Sequence, residues 1–311
     1  MLLIFAGSTD ETCNLLLSRL GHRAFRLNFD LFRDYVVEIG LEDWRIANPT
    51  GHEITNHTAH ACFWWKPFNY FIDDNDYVIE EVKYIFRELY GWFMHRGLVR
   101  GNSHLFHQQR GKLLILQLAK KYFAVPDTLA GWNLSDGRLA MLHKSVVAKS
   151  LTSGLVTTSK VLYTTEVEPV HLDKSYPWFL QSRITAEADI TIQVVGRNFF
   201  AFSRHRHGLQ GLDWRQEIFT ENHERARWEP VNLTSEQYDA TMAFVIDLGV
   251  AWGRLDFLMK EGKLVFLEFN ANGQWAFLDP DDQIGLFDAV VEYLETKSTQ
   301  PQELPRTPSA S

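Results

Sequence analysis

Cysteine is nearly absent from this sequence, with Cys13 and Cys62 the only two among 311 residues. They lie far apart in apolar stretches, which argues against a disulfide framework and against a thiolate metal site. Free thiols of this kind are typical of proteins that stay in a reducing compartment. We therefore expect both cysteines to be buried and unpaired.

Long apolar runs are missing as well. Residues 1–6 are apolar, but Ser8, Thr9 and Asp10 follow at once, so the run is shorter than the roughly 7–15 residues of a signal-peptide core. No stretch reaches the roughly 18 apolar residues that a membrane-spanning helix needs. The sequence therefore predicts a cytoplasmic protein with no membrane partner.

An excess of positive charge is the third absence. The chain has 31 Lys and Arg residues against 39 Asp and Glu residues, which gives a formal net charge of −8. Nucleic-acid-binding proteins usually carry a basic surface that neutralises phosphates, so we expect no nucleic-acid partner. Hydrophobic residues make up 45% and charged residues 23% of the chain, which is typical of a globular protein.

The first hundred residues show the pattern of a small α/β domain. Ser8 and Glu11 fit a capping box at the start of a helix that Gly21 would end. A strand before this helix and a strand after it are the beginning of an open parallel sheet. The predicted elements are strands at 2–6, 24–28, 36–41, 44–48 and 61–65, and helices at 10–20 and 77–99.

The remainder alternates strand-like and helical segments. Asn102 or Ser103 would cap a helix that runs to about Phe123. The Gly196-Arg197 pair is typical of a hairpin turn. Further predicted strands lie at 141–148, 161–165, 178–182, 189–195, 198–203, 252–259 and 263–270, and helices at 235–248 and 283–295. Residues 297–311 are rich in Pro, Ser, Thr and Gln and are predicted to be disordered.

Two carboxylates interrupt the apolar hairpin of residues 252–270. Burial of an unpaired carboxylate costs several kcal/mol, so Asp256 and Glu268 need compensation. Glu268 and Asn270 are two residues apart on one strand and share a face. Three oxygen donors that converge there would suit Mg²⁺ or Mn²⁺ held against substrate phosphates. The alternative is that both carboxylates lie on an edge strand in water, paired with Lys263 or Arg254.

The register of the hairpin decides between these alternatives. If Met259 or Lys260 lies opposite Leu264, Asp256 falls across from Glu268. A strict two-residue loop at Glu261-Gly262 would place Asp256 on the other face of the sheet. We therefore predict a three-residue loop or a β-bulge.

The hairpin and the loop after it resemble the metal-binding core of ATP-grasp ligases, in particular the microviridin-type (graspetide) peptide macrocyclases. The residues that carry the likeness are Arg254-Leu255-Asp256-Phe257 and Phe266-Leu267-Glu268-Phe269-Asn270-Ala271-Asn272-Gly273-Gln274-Trp275. Ala271 stands where those proteins commonly have Pro. Weaker likenesses are the turn Val125-Pro126-Asp127-Thr128 and the D-W-R motif Asp213-Trp214-Arg215.

This resemblance implies an ATP-grasp fold of mixed α/β and α+β class. Residues 1–102 would form a pre-ATP-grasp α/β domain. Residues 103–182 would form the central lobe and residues 183–296 the C-terminal lobe, with ATP sandwiched between them. Residues 297–311 would be a disordered tail.

The resemblance also implies roles for single residues. Asp256, Glu268 and Asn270 would be the metal ligands, and Arg254 and Arg215 would act in catalysis. Lys149 and Lys112 would reach the phosphates, with Lys144 an alternative to Lys149. Gln181 belongs to the hinge whose backbone reads adenine. Ser182 stands where many relatives have an acidic ribose ligand, so Glu187 is the alternative there.

One position departs from the pattern. Relatives often read (D/E)-x-R-(I/V), whereas this chain has Glu187-Ala188-Asp189-Ile190. The arginine that would face the γ-phosphate is therefore Asp189. Arg215, Arg183 or Arg204 would have to replace it, and the basic segment 204–208 could clamp phosphate or an acidic substrate segment.

The reaction implied is ATP-dependent ligation through an acyl-phosphate, with ATP and Mg²⁺ or Mn²⁺ as cofactors. The expected substrate is a ribosomal precursor peptide that receives side-chain ester or amide crosslinks. One alternative is a ligase that joins free amino acids or extends a peptide terminus. Another is a non-catalytic nucleotide-binding protein, which Asp189 would favour. A homodimer is usual for similar proteins.

Overall fold

The computed structural model describes residues 1–69, 72–103, 105–142, 145–152, 155–157, 160–161, 163–207, 212 and 227–296. Arg215, Lys144 and the 297–311 tail lie outside the described residues. Among the described residues, no helix combines the length and the apolar character needed to cross a bilayer. Cys13 and Cys62 are buried free thiols, as predicted.

The N-terminal segment contains a parallel sheet and an antiparallel sheet. The parallel sheet has the strand order β2-β1-β6-β7, and β3, β4 and β5 form a separate antiparallel sheet. The elements are β1 (Leu2–Ala6), α1 (Glu11–Leu20), β2 (Ala24–Asn28), β3 (Val36–Ile39), β4 (Trp44–Ala47), β5 (Glu53–Thr55), β6 (Ala61–Trp64), α2 (Asp76–His95) and β7 (Val99–Arg100). The predicted parallel sheet is therefore present, with an antiparallel addition that contains the unpredicted strand β5.

The cap of α1 differs from the prediction. Asp10, and not Ser8, is the N-cap residue, and its Oδ1 accepts a hydrogen bond from the backbone N–H of Cys13. Ser8 instead donates its backbone N–H and its hydroxyl to Asp30. The capping-box prediction was wrong because two polar residues compete for this helix start and the tertiary contacts of Asp10 decide between them.

The central segment carries an antiparallel sheet with the strand order β12-β9-β13-β8, and β10 pairs separately with β11. Its elements are α3 (Phe106–Gln109), α4 (Lys112–Ala119), β8 (Thr128–Gly131), α5 (Asp136–Leu139), β9 (Val146–Ala148), β10 (Leu155–Thr157), β11 (Lys160–Val161), β12 (Thr165–Val167) and β13 (Trp178–Ser182). The single long helix predicted up to Phe123 was wrong, because Gly111 adopts an extended conformation as the N-cap of α4. In α4, Leu113 and Leu114 are exposed, whereas Ile115 and Leu116 are buried.

The C-terminal segment is an antiparallel sheet with the strand order β16-β15-β14-β17-β18. Its elements are β14 (Ala188–Val195), β15 (Asn198–His205), β16 (Glu229–Pro230), α6 (Ser235–Leu248), β17 (Trp252–Lys260), β18 (Lys263–Asn270) and α7 (Leu286–Glu295). One face of this sheet packs with α4 and α6 into an apolar core. The predicted turn at Gly196-Arg197 is confirmed, because Val195 pairs with Asn198.

A β-bulge corrects the register of the β17–β18 hairpin. Lys260 pairs with Lys263, so the turn Glu261-Gly262 is a strict two-residue loop. On this register alone Asp256 would lie opposite Leu267. The register shifts between Asp256 and Phe257, and Asp256 pairs with Glu268. The bulge that the sequence required is therefore confirmed, and the alternative three-residue loop does not form.

Candidate functional site

The face of the C-terminal sheet opposite α4 and α6 carries polar side chains from neighbouring strands. Thr191 of β14 pairs with Asp256 of β17, and Gln193 pairs with Arg254. Side chains directly opposite each other, and those two residues apart, share a face. The register of β14, β17 and β18 therefore brings polar groups together in the middle of a mostly buried sheet.

Asp256, Glu268 and Asn270 converge on this face, as predicted. The Asn270 amide nitrogen donates to Asp256 Oδ2 at 2.6 Å and to Glu268 Oε1 at 3.2 Å. Both carboxylates thus lie within reach of one small group. Among the described residues no cluster of three or more His, Cys, Asp or Glu side chains has metal-site geometry, so this candidate site consists of two carboxylates and one amide.

Asp256 is oriented by hydrogen bonds from two residues besides Asn270. Arg254 donates to it from Nε at 3.0 Å and from Nη2 at 3.1 Å. The Thr191 hydroxyl donates to Asp256 Oδ1 at 2.7 Å. These contacts fix the rotamer of the carboxylate and supply the compensation that its partial burial requires.

Glu268 lies among cations of the central segment. Lys112 Nζ is 3.5 Å from Glu268 Oε2 and donates to the Ser150 carbonyl at 3.0 Å. Burial would raise the pKa of Glu268, but the charges of Lys112 and Lys149 and the hydrogen bond from Asn270 outweigh it and hold the pKa below its usual value. Glu268 therefore presents an ionised carboxylate at neutral pH.

The three donors are of the type that binds hard divalent cations. Mg²⁺ prefers oxygen ligands and is usually held by one or two carboxylates together with substrate phosphates. The amide nitrogen of Asn270 faces the carboxylates, so ligation through Oδ1 requires this amide to turn over. The alternative was that both carboxylates lie on an edge strand in water, paired with Lys263 or Arg254. Its pairing of Asp256 with Arg254 is present, and Glu268 lies on the edge strand β18 with 35% of its side chain exposed. Asp256, however, lies on the inner strand β17, and its side chain is only 21% exposed.

A cleft of about 250 Å³ connects this face to the central segment. Lys149, Gln181 and Ser182 line the opposite wall of the cleft from β9, β13 and their ends. Gln181 is buried, and its Oε1 has no hydrogen-bond partner among the described residues. A buried unpaired acceptor is costly unless something donates to it, so this wall is chemically suited to a polar ligand such as a nucleobase.

Glu187 and Ser182 are the two residues considered for the ribose contact. The Glu187 carboxylate accepts hydrogen bonds from the backbone N–H of Glu261 at 3.1 and 3.2 Å, and thus stabilises the hairpin turn. It does not belong to the lining of the cleft described here. A ribose contact by Glu187 stays a prediction, and it would require the side chain to leave Glu261. Ser182 is buried at the cleft.

Asp189, which stands where relatives often have an arginine, is paired with two arginines. Arg204 lies directly across the hairpin from Asp189 and pairs with its Oδ2, and Arg206 Nη1 pairs with its Oδ1 at 2.6 Å. Asp189 and Arg206 line the cleft. Arg183 also lines it but forms an ion pair with Glu166 at 2.7 Å. One carboxylate therefore holds two arginines beside the cleft, and Arg206 is a candidate that the sequence analysis did not single out as the replacement.

The N-terminal segment also reaches this face. The Gln274 side chain accepts a hydrogen bond from the Thr12 hydroxyl at 2.7 Å and donates one to Asp10 Oδ2 at 3.3 Å. The backbone carbonyl of Gln274 accepts from Arg254 Nη1 at 2.7 Å. Lys66 stands near Asp10 and Arg254, and burial, with a smaller effect of Arg254, lowers its pKa to about 8. Sequence reasoning missed Lys66 because only long-range packing brings it here.

Comparisons with known proteins place the fold. No protein-family model and no curated protein matches this sequence. Solved structures do match, over nearly the whole chain. A RiPP-associated ATP-grasp ligase from Chryseobacterium gregarium, solved with ADP and with a leader and core peptide, has a TM-score of 0.78 at 19% identity and covers 96% of this chain and 98% of its own. The chain has the ATP-grasp fold.

Two further solved structures are similar to this chain. The macrocyclase MdnC from Microcystis aeruginosa MRC, bound with precursor peptide MdnA, has a TM-score of 0.76 at 18% identity, with 94% of this chain and 98% of that chain covered. The D-alanine–D-alanine ligase from Bacillus anthracis, complexed with ATP, has a TM-score of 0.55 at 14% identity, with 94% of each chain covered. The fold expected from the 254–275 block is therefore confirmed.

Proposed function

We propose that this protein is an ATP-dependent ligase that activates a carboxylate as an acyl-phosphate and installs side-chain ester or amide crosslinks in a ribosomal precursor peptide. The observation that carries the proposal is the convergence of Asp256, Glu268 and Asn270 beside Lys112, in a cleft whose other wall carries Lys149.

The donor set fits a divalent cation, which would neutralise charge on the phosphates of ATP. Asp256 and Glu268 would hold this cation, and Thr191 and Arg254 keep Asp256 in the required rotamer. Lys149 lines the cleft and would reach the phosphates. The positive charges of Lys149 and Arg206 would stabilise the negative charge that develops on the transferred phosphoryl group.

The chemistry has two balanced steps. A carboxylate oxygen of the peptide attacks the γ-phosphorus, the bond to the β-phosphate oxygen breaks, and ADP leaves. A hydroxyl or amine then attacks the acyl carbon, loses its proton, and releases inorganic phosphate. The peptide loses one water in total, and no covalent bond to the enzyme forms. A water-excluding cleft favours this route because water would hydrolyse the intermediate.

The comparisons favour a peptide substrate over free amino acids. The structures with TM-scores of 0.78 and 0.76 were solved with peptides, whereas the ligase that joins single amino acids has a TM-score of 0.55. This ordering supports the proposed substrate class. A homodimer, the usual assembly of similar proteins, remains part of the proposal.

Mass spectrometry of a peptide incubated with the full-length protein, ATP and Mg²⁺ tests the function. Candidate peptides are short products of neighbouring reading frames with Thr- and Glu- or Asp-rich repeats. Loss of one water per crosslink, with one ADP formed for each, is the expected result. Gain of a residue mass would instead support the ligase for free amino acids. Absence of any ATP turnover would support a non-catalytic nucleotide-binding protein.

A further inference from the structure

Lys66 has an unusual backbone conformation just beyond the carboxyl end of β6. Its φ angle is +49°, in the left-handed region that residues with a side chain seldom adopt. Such conformations persist only where the surrounding structure holds them, and they concentrate at functional sites. The contacts of Lys66 and of the residues before it therefore bear on the function of this turn.

The residues before Lys66 are tied to the candidate site. Trp65 is fully buried, its indole N–H donates to Asp10 Oδ1 at 2.9 Å, and its ring lies 6.4 Å from that of Trp252. The Asn272 amide donates to the Trp64 carbonyl at 3.3 Å. Trp252 begins β17 and Asn272 follows β18. The left-handed turn is thus attached to the same hairpin that carries the predicted metal ligands.

The Lys66 ammonium lies above the Trp65 ring, with Nζ 4.7 Å from the ring centroid. Burial lowers its pKa to about 8, Asp10 opposes this effect, and the charge of Arg254 adds to it. Asp10 is the carboxylate whose charge acts on the Lys66 ammonium. Two cations therefore share a partly desolvated region, and an anion between them would be stabilised by both.

The order of groups along β17 relates the Lys66 region to the candidate metal ligands. The linker from β13 enters β14 at Ala188, opposite Met259, at one end of β17. Asp256 lies in the middle of the strand, Arg254 follows, and Trp252 with the Trp65–Lys66 turn lies at the other end. The candidate metal ligands thus separate the hinge side of the cleft from Lys66. In-line transfer places the attacking oxygen opposite the leaving group.

We propose that Lys66 and Arg254 bind the acidic side chain of the peptide before it is phosphorylated, so that the N-terminal segment forms the acyl-donor side of the site. The proposal rests on the proposed ligase function. Arg254 already donates to Asp256 and to the Gln274 carbonyl, which leaves two of its five N–H groups for a ligand. Lys66 is a specificity-determining residue that selects an ionised carboxylate over an amide.

Nuclear magnetic resonance of the lysines tests binding without turnover. The full-length protein is dimethylated on its lysines with ¹³C, which keeps their charge, and is loaded with Mg²⁺ and ADP. The Lys66 signal is assigned with Lys66→Arg. We expect an acetylated, amidated Gly-Glu-Gly tripeptide to shift this signal and the Gln counterpart to leave it in place. Lys263, at the far hairpin turn, is the matched control and should not move.

Equal shifts with both tripeptides, or no shift at Lys66 with either, would overturn the proposal. Because this readout needs no product, it separates the two claims: a carboxylate-specific shift without crosslinking would leave the Lys66 site standing while the ligase function failed.

Kinetics with the crosslinked peptide give a second test. Lys66→Met should raise the KM for the peptide about tenfold or more, as expected for loss of a charge-assisted contact. The KM for ATP should stay within about twofold, and Lys66→Arg should restore part of the peptide KM. Lys263→Met should match the wild type. An unchanged peptide KM, or an equal rise in both KM values, would contradict a role in binding the carboxylate.

Discussion

Two charged clusters lie on the same face of the C-terminal sheet and are built in opposite ways. In one, the carboxylates Asp256 and Glu268 are bridged by an amide, with cations around the outside. In the other, the single carboxylate Asp189 lies between the guanidinium groups of Arg204 and Arg206. A centre of two carboxylates attracts a cation, whereas one carboxylate between two arginines leaves positive charge for an anion. We therefore propose the first cluster as the metal site and the second as a phosphate contact.

The largest expected effect comes from Asp256→Asn. The change keeps the shape but removes one of two anionic donors, and Arg254 loses its charged partner. We expect ATP turnover to fall by about a thousandfold or more, since a metal and its transition-state charge stabilisation are lost together. Steady-state ADP release measures this effect. Turnover within about tenfold of wild type would show that the first cluster does not hold the metal.

A smaller effect is expected from Lys149→Met, which removes a cation from the cleft wall but leaves the carboxylates and arginines of both clusters in place. Loss of a preorganised charge next to the phosphates should lower kcat/KM for ATP by about a hundredfold. Lys121→Met is the matched control, because Lys121 is an exposed lysine of the same segment paired with Asp247. Equal effects of the two substitutions in this kinetic assay would contradict the role of Lys149.

Asp189→Asn tests the second cluster through stability. Arg204 is buried, with a side chain 1% exposed, and breaking a buried ion pair costs about 3–5 kcal/mol. We expect a lower urea midpoint and a higher KM for ATP, because Arg206 is no longer held at the cleft. Asp281→Asn, at an exposed aspartate 3.9 Å from Arg227, should leave both quantities unchanged. A stable variant with unaltered KM would show that Asp189 organises neither arginine.

The smallest effect concerns the pH dependence of Glu268. Its pKa in the folded protein lies below the usual value of 4.5, so the ionised form stabilises the fold above that value and the contribution is lost as the pH falls through the lowered pKa. Glu268→Gln should therefore be less stable than the wild type at neutral pH, with the difference shrinking in acid. Urea unfolding of the wild type and the variant, at neutral and at acidic pH, measures this difference in stability. A difference that grows toward acid would reverse the assigned sign.

Much of this comparison was predictable from local pattern. The hairpin 252–270 follows from two apolar strands and a Glu-Gly turn, and the bulge follows from the need to bring Asp256 and Glu268 to one face. The contact between Asp189 and Arg204 could also have been found. A two-residue turn at Gly196-Arg197 places Val195 opposite Asn198, and the same register places Asp189 opposite Arg204. The signal was present in a turn that the sequence analysis had already identified.

Other features depend on contacts that no local pattern encodes. The segment from Asn102 to Phe123 looks like one continuous helix, because its break at Gly111 depends on the backbone geometry of that single glycine. Asp10 replaces Ser8 as the helix cap through its bond to Trp65, 55 residues away. Lys66 follows an apolar strand like many surface lysines, and only the packing of Trp65 against Trp252 brings it to the site.

Anomalous diffraction from crystals of the full-length protein grown with Mn²⁺ and ADP tests the central claim most directly. We expect a manganese peak between Asp256 and Glu268, with an oxygen of each at a metal–ligand distance of about 2.0–2.3 Å. The Asn270 amide should have turned its oxygen toward the metal. A peak bound elsewhere in the cleft, or nucleotide density with no metal at these carboxylates, would contradict the account.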